Sequence, residues 1–297
     1  MRAEPIEDNP AMAEASVALE RIETLQAELD GLHKEINLLH RRDETLHFHM
    51  HRLDEELRLA ARIQQDFLPK TLPQIGPVHF HTLYRPAGYV SGDLYDVSRL
   101  DEAHVGFYIA DAVGHGMPAA LLTMFIKHAL VTKQILPTGY RLLDPGEALS
   151  LLNTALVEQN LTHATFATAL YGTINVNTLV CRFAGAGHPS PLILRADGSI
   201  LNIHGEGPLL GIFPGEHYGD SQVQLRTGDR MFVYTDGIEI AFSDDHALNT
   251  QQWRAEIQRR SAMPTEQLLK ELADSLDRES GSLSPHDDVS IIVAEVK

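Results

Sequence analysis

The chain has 297 residues, 43% hydrophobic and 22% charged, enough for one large domain with an accessory element or for two modest domains. Its 24 basic and 41 acidic side chains give a formal charge of −17, a field that repels phosphate backbones and anionic lipid and argues against nucleic-acid or membrane partners. A single cysteine, Cys181, excludes an intramolecular disulfide and leaves no basis for a cysteine-built zinc site.

The first residues, MRAEPIEDNPAMAEASVALE, are acidic and lack the basic start and apolar core of a secretory signal. No apolar run approaches the roughly 18 residues that a membrane span needs, so the expected location is cytoplasmic. Residues 1–14 are polar, carry Pro5 and Pro10 and show no periodicity; they read as a disordered start.

From residue 15 to 68 the pattern is regular. Ile22, Leu29, Ile36, Asp43, Met50 and Leu57 alternate with Leu25, Leu32, Leu39, Leu46, Leu53 and Ala60 at spacings of three and four. A repeat of about 3.5 residues held this long is the seam of a coiled coil, and β-branched residues at a with leucine at d favour two parallel strands. The expectation is a homodimer, with Asp43 as a costly polar a residue that helps set register. The other reading is one long helix packed on its own domain. His33, His40 and His47 fall at e positions and Glu28 and Glu35 at g, so a parallel dimer would pair Glu28 with His33 and Glu35 with His40 across the seam, and His49 with Asp54. Such pairs strengthen when histidine is protonated; a solvated rim without regulatory meaning is the plainer account.

Leu68-Pro69-Lys70-Thr71-Leu72-Pro73 ends the helix, and residues 69–297 read as a separate domain. Strands are expected over 77–85, 93–100, 104–113, about 165–187 in two runs, at PLILR and ILNI, twice within 221–240 and at VSIIVAEV. Helices are expected over 116–133, 147–161, 248–260 and 264–280. Strands in long runs with helices in pairs indicate an α+β layered sandwich.

Four segments place aspartate beside glycine or at the end of an apolar strand: Ser91-Gly92-Asp93, Ala110-Asp111-Ala112-Val113-Gly114-His115-Gly116, Thr235-Asp236-Gly237 and His286-Asp287-Asp288-Val289. Carboxylates gathered where strands leave a core are hard oxygen ligands suited to Mg²⁺ or Mn²⁺, and they repel one another unless a cation neutralises them. Aspartate beside glycine is equally ordinary turn chemistry, and spacing alone does not show that the segments meet.

Residues 83–96, LYRPAGYVSGDLYD, resemble the opening motif of the SpoIIE/RsbU-type branch of the type 2C (PPM) protein phosphatases. Ile109 to Gly116 followed by Pro118-Ala119-Ala120, then Phe183 to Pro189, Gly207 to Gly211, Tyr234-Thr235-Asp236-Gly237 and Asp287-Asp288-Val289-Ser290 follow in the family's order. The likeness covers roughly 61–297, including the lead-in Ala61-Arg62-Ile63-Gln64-Gln65. Ser91 stands where glycine is common, and Ala110 and Ala112-Val113 where glycine, valine and serine are frequent.

The resemblance implies two packed antiparallel sheets flanked by helix pairs, an αββα sandwich, with two Mn²⁺ or Mg²⁺ ions at one end. Asp111 would bridge both ions, Ala112 would offer its carbonyl, Asp236 would complete the shared site and Asp287 would hold the second ion with Asp93 nearby; Asp288 ranks below them. Two ions about 4 Å apart would acidify a bridging water for in-line attack on phosphorus, with Asp111 and Asp236 as catalytic ligands. His115 is either the acid that protonates the leaving oxygen or a loop histidine bonded to backbone. His188, in Gly-His-Pro, reads as structural. The implied substrate is a phosphoserine or phosphothreonine on a regulatory protein, in this branch a STAS-domain anti-sigma-factor antagonist. The alternatives are a catalytically silent phosphoprotein-binding scaffold, or the output half of a larger sensor.

Overall fold

The computed structural model describes the backbone of residues 10–161, 166–205, 207–243, 248–279 and 287–297, with side chains from Ala15. Residues 1–9 of the expected disordered start, residue 280 and His286 lie outside the described residues. Contacts divide the chain into two units, Met1–Leu57 and Arg58–Lys297.

Helix α1, Pro10–Phe67, begins inside the segment expected to be disordered. In the first unit it exposes the seam side chains, among them Ile22 (53%), Leu32 (57%) and Leu53 (57%). The unit boundary falls about ten residues before the expected one at residue 68, because the last turns of α1 pack into the second unit. Gln64 is buried there, and the carbonyl of Phe67, which the ended helix leaves unpaired, accepts from Lys127 Nζ at 2.6 Å.

The second unit continues with β1 (Gln74–Ile75), β2 (Val78–Arg85), β3 (Asp93–Arg99), β4 (His104–Ala112), α2 (Met117–Ala129), β5 (Lys133–Leu136), β6 (Gly139–Leu142) and α3 (Pro145–Glu158). There follow β7 (Ala167–Asn175), β8 (Val180–Ala186), β9 (Leu192–Leu194), β10 (Ile200–Asn202), β11 (Ser221–Gln224) and β12 (Arg230–Tyr234). Helices α4 (Gly237–Ala241), α5 (Thr250–Arg259) and α6 (Thr265–Glu279) precede the last strand, β13 (Val289–Val296).

Two antiparallel sheets result, a six-stranded one in the order β1-β2-β13-β12-β9-β10 and a five-stranded one in the order β11-β8-β7-β4-β3. Alternation along the strands sends one side chain set inward: Phe80, Phe107, Ile109, Phe183, Met231, Val233 and Ile292 fill the space between the sheets. The outer face of the five-stranded sheet is covered by α2 and α3 through Leu122, Ile126, Leu149 and Leu152. The outer face of the other is covered by α4, α5 and α6 through Ile238, Trp253, Ile257, Leu268 and Leu272. This is the expected α+β sandwich of two antiparallel sheets between helix layers.

Besides the early start of α1 and the short β1 and α4, which the sequence pattern does not predict, one stretch departs from the expected pattern. The helix expected to run to residue 133 stops at Ala129, where Leu130 turns extended, and β5 and β6 form a separate two-stranded hairpin. The β-branched Val131 and Thr132 disfavour further helix, and Pro137-Thr138 between Leu136 and Gly139 supply a tight turn.

Candidate active site

Register brings the first pair of carboxylates together. Asp93 opens β3 and stands directly opposite Asp111 near the end of β4, so the two side chains share a face with Cβ atoms about 5 Å apart. Asp111 is opposite Thr168 of β7 on its other side. Asp93 is fully buried and Asp111 half-buried.

The second pair comes from the other sheet. Asp236 follows β12 and caps the short α4, while Asp287 and Asp288 lead into β13, which runs antiparallel beside β12. The two segments lie against each other: a Cβ on Gly237 would stand 2.0 Å from the Asp288 carbonyl oxygen and 3.4 Å from Asp287 Cβ, so only glycine fits. Asp236 is half-buried and Asp287 exposed.

A hydrogen bond links the pairs. Thr235 Oγ1 donates to Asp93 Oδ2 at 2.7 Å, and the amide of Ser290 donates to the same Oγ1 at 2.9 Å. Asp288 has a different duty from its neighbour: its carboxylate accepts from the Ala87 amide at 2.7 Å and the Gly92 amide at 2.6 Å, fixing the loop that leads into Asp93. Gln64 holds the same loop, donating to the Ser91 carbonyl at 2.7 Å and accepting from the Ser91 amide at 2.9 Å. The Ala112 amide donates to the Gly92 carbonyl at 2.9 Å, and the Ala112 carbonyl would stand 3.2 Å from a Cβ at Gly92.

Electrostatics registers the crowding. Asp111 has its carboxyl pushed up to about 8, first by burial and then by the charges of Asp236, Asp287 and Asp288. Asp93 is raised well above the usual carboxylate range, first by burial and then by Asp111. Asp236 is raised by its partial burial; Asp287, although its side chain reaches solvent, is raised by partial desolvation of its carboxyl against the neighbouring stretch of chain and then by the charges of Asp236 and Asp288. Four aspartates from distant segments therefore meet within Coulomb range. Among the described residues no three acidic, histidine or cysteine side chains already close into an ion cage. The donor set nevertheless fits a hard divalent cation: all oxygen, mutually repelling, and with no lysine or arginine paired to Asp93, Asp111, Asp236 or Asp287 among the ion pairs of the described residues.

His115 lies exposed on the loop between β4 and α2, just before the helix's glycine cap. His188 is buried; its Nδ1 pairs with Thr168 Oγ1 at 2.9 Å, while Nε2 has no hydrogen-bond partner among the described residues. Burial drives its imidazole down to about 3. Beside Asp236 opens a cavity of about 410 Å³ whose polar lining includes Thr168, Ser190, Asn202 and Glu239. Sequence pattern alone does not single out Thr235 or the buried Glu239, and Gln64 stands out only as part of the motif's lead-in. A hydroxyl beside an aspartate in Thr235-Asp236 is the available signal for the first.

Known proteins resemble this chain. The model of the family described as stage II sporulation protein E (SpoIIE) matches residues 101–297. The phosphoserine phosphatase RsbU of Bacillus subtilis is 28% identical over 255 residues, covering 86% of this chain and 74% of RsbU. RsbP of the same organism, also a phosphoserine phosphatase, is 31% identical over 186 residues, covering 62% of this chain and 45% of RsbP. Among solved structures, the SiaA PP2C domain of Pseudomonas aeruginosa superposes with a TM-score of 0.69 at 23% identity, covering 84% of this chain and 98% of that one, a likeness of fold. The chain belongs to the SpoIIE family, and its relatives include the phosphoserine phosphatases RsbU and RsbP.

Proposed function

We propose that this chain is a Mg²⁺- or Mn²⁺-dependent phosphatase that removes phosphate from serine or threonine of a regulatory protein, and that it works as a dimer through its N-terminal helix. The observation that carries the reading is the meeting of Asp93, Asp111, Asp236 and Asp287, where burial first, and then the charges of Asp236, Asp287 and Asp288, push the Asp111 carboxyl up to about 8.

In this reading Asp111 and Asp236 would be the principal ligands of the divalent cations, Asp287 and Asp93 would help to hold a second ion, and the Ala112 carbonyl would contribute an oxygen. Bound there, divalent cations would acidify an attacking water and offset charge on the phosphoryl oxygens. The rest falls to the chain's own groups. Thr235 orients Asp93, Asp288 and Gln64 hold the Ala87–Gly92 loop, and the exposed His115 is available to give the leaving serine oxygen its proton. The substrate we favour is a STAS-domain anti-sigma-factor antagonist, by analogy with the branch and in keeping with the relative named phosphoserine phosphatase RsbU.

Dimerisation rests on the exposed heptad seam of α1. Because the last turns of the same helix grip Ser91 through Gln64, the helix is also placed to bias the carboxylate site. Unchanged activity and metal dependence after deletion of residues 1–60 would contradict only a role for that stretch. The enzymatic reading is tested by release of phosphate from a simple phosphomonoester with added Mn²⁺. A silent scaffold would bind phosphoprotein and release none.

A further inference from the structure

Five of the chain's 16 histidines lie within residues 33–51, in the first unit, whereas the aspartate cluster belongs to the second. Two of them, His47 and His51, are four residues apart on the unbroken helix α1. That spacing stacks them on one face, one turn apart, with Cβ atoms about 5–6 Å from each other. Two imidazoles so placed can close on one ion at metal–nitrogen distances of about 2.0–2.1 Å by side-chain rotation alone. One turn earlier on the same face stands Asp43, whose Oδ2 lies 3.5 Å from His47 Nε2.

Neither His47 nor Asp43 has a packing duty in this chain: their side chains are 69% and 70% exposed, and His51 is exposed as well. Residues 41–56 carry five acidic side chains, Asp43, Glu44, Asp54, Glu55 and Glu56, against three basic ones, Arg41, Arg42 and Arg52, the last of which pairs with Glu56 at 3.0 Å. The local field therefore favours a cation, and Arg52 has a partner of its own.

We propose that Asp43, His47 and His51 form a site at the edge of the heptad seam for one late first-row divalent ion, Zn²⁺, Ni²⁺ or Cu²⁺, with the two imidazoles as the obligatory ligands and Asp43, the polar a residue, as the third. Imidazole selects such ions, whereas the all-oxygen set of the phosphatase unit suits Mg²⁺ or Mn²⁺. The two sites thus differ in chemistry and can be filled separately. The site owes nothing to the phosphatase reading.

The experiment is calorimetric titration of the full chain with Zn²⁺ in excess Mg²⁺. It compares the unaltered protein with His47→Ala/His51→Ala and with His33→Ala/His40→Ala, whose members stand seven residues apart. Alanine suits an exposed helix, and circular dichroism reports whether helix content is kept; His51→Gln serves if it is not. The unaltered chain and the His33/His40 variant should bind one more Zn²⁺ per chain than the His47/His51 variant, and His51→Gln should weaken that ion at least about tenfold. Acid should release it, because imidazole binds metal only when neutral. Equal stoichiometry and affinity in the His47/His51 variant, or no Zn²⁺ uptake by the unaltered chain, overturns the proposal.

Discussion

The hydroxyl of Thr235 donates to Asp93 Oδ2 at 2.7 Å, joining the end of a strand in the six-stranded sheet to the buried carboxylate that opens a strand in the five-stranded one. Thr235→Val keeps the shape but removes the donor, and it leaves the Ser290 amide without its acceptor. The expected loss is about 1–3 kcal/mol in denaturant unfolding and about tenfold or more in phosphate release. Thr235→Ser should recover most of both.

Asp287 and Asp288 adjoin each other and should fail differently. Asp287→Asn removes a charge from the carboxylate cluster without touching the loop, and should raise the Mn²⁺ concentration for half-maximal activity about tenfold or more. Asp288→Ala frees the amides of Ala87 and Gly92 and should cost about 1–3 kcal/mol of stability. A metal titration and a thermal melt of both variants separate the roles; matching profiles would contradict them.

Removal of metal should make stability depend on pH in a stated direction. An unfolded aspartate loses its proton near pH 4, whereas folded Asp111 keeps it up to about 8. Between those values the folded chain holds a proton that the unfolded chain lacks, so metal-free stability falls as pH rises across the window. Melting in chelator from pH 5.5 to 8 should show a falling Tm that added Mg²⁺ reverses. A flat profile would mean that the carboxylates do not crowd one another.

Mild acid should tighten the proposed dimer. Protonated His33 and His40 would attract Glu28 and Glu35 across a parallel seam. These pairs are exposed, so the expected gain is small, about two- to fivefold in Kd between pH 8 and 5.5. Sedimentation of the full chain at the two pH values reads it, and equal constants would leave the histidines as a solvated rim.

Strand runs and paired helices are enough to indicate an α+β layered sandwich, the αββα order being what the family resemblance implies, and Asp93, Asp111, Asp236 and Asp287 each stand out by their place at a strand end. Pairing is what a linear pattern does not contain. That Asp93 opposes Asp111 depends on the β3–β4 register, and that Thr235 reaches Asp93 depends on how two sheets stack. By pattern Asp288 resembles a weaker copy of Asp287, yet its work is done on the amides of Ala87 and Gly92, some two hundred residues away in sequence. The β5–β6 hairpin is hidden inside an apolar run because hydrophobicity does not separate a buried helix from a following strand.

Direct Mn²⁺ binding by the full chain and by Asp111→Asn tests most closely whether the aspartates form one ion-binding cluster. Asp111 feels the charges of Asp236, Asp287 and Asp288, so its replacement should weaken Mn²⁺ at least about tenfold and abolish phosphate release together. Mn²⁺ uptake and turnover both unchanged in Asp111→Asn would contradict the account.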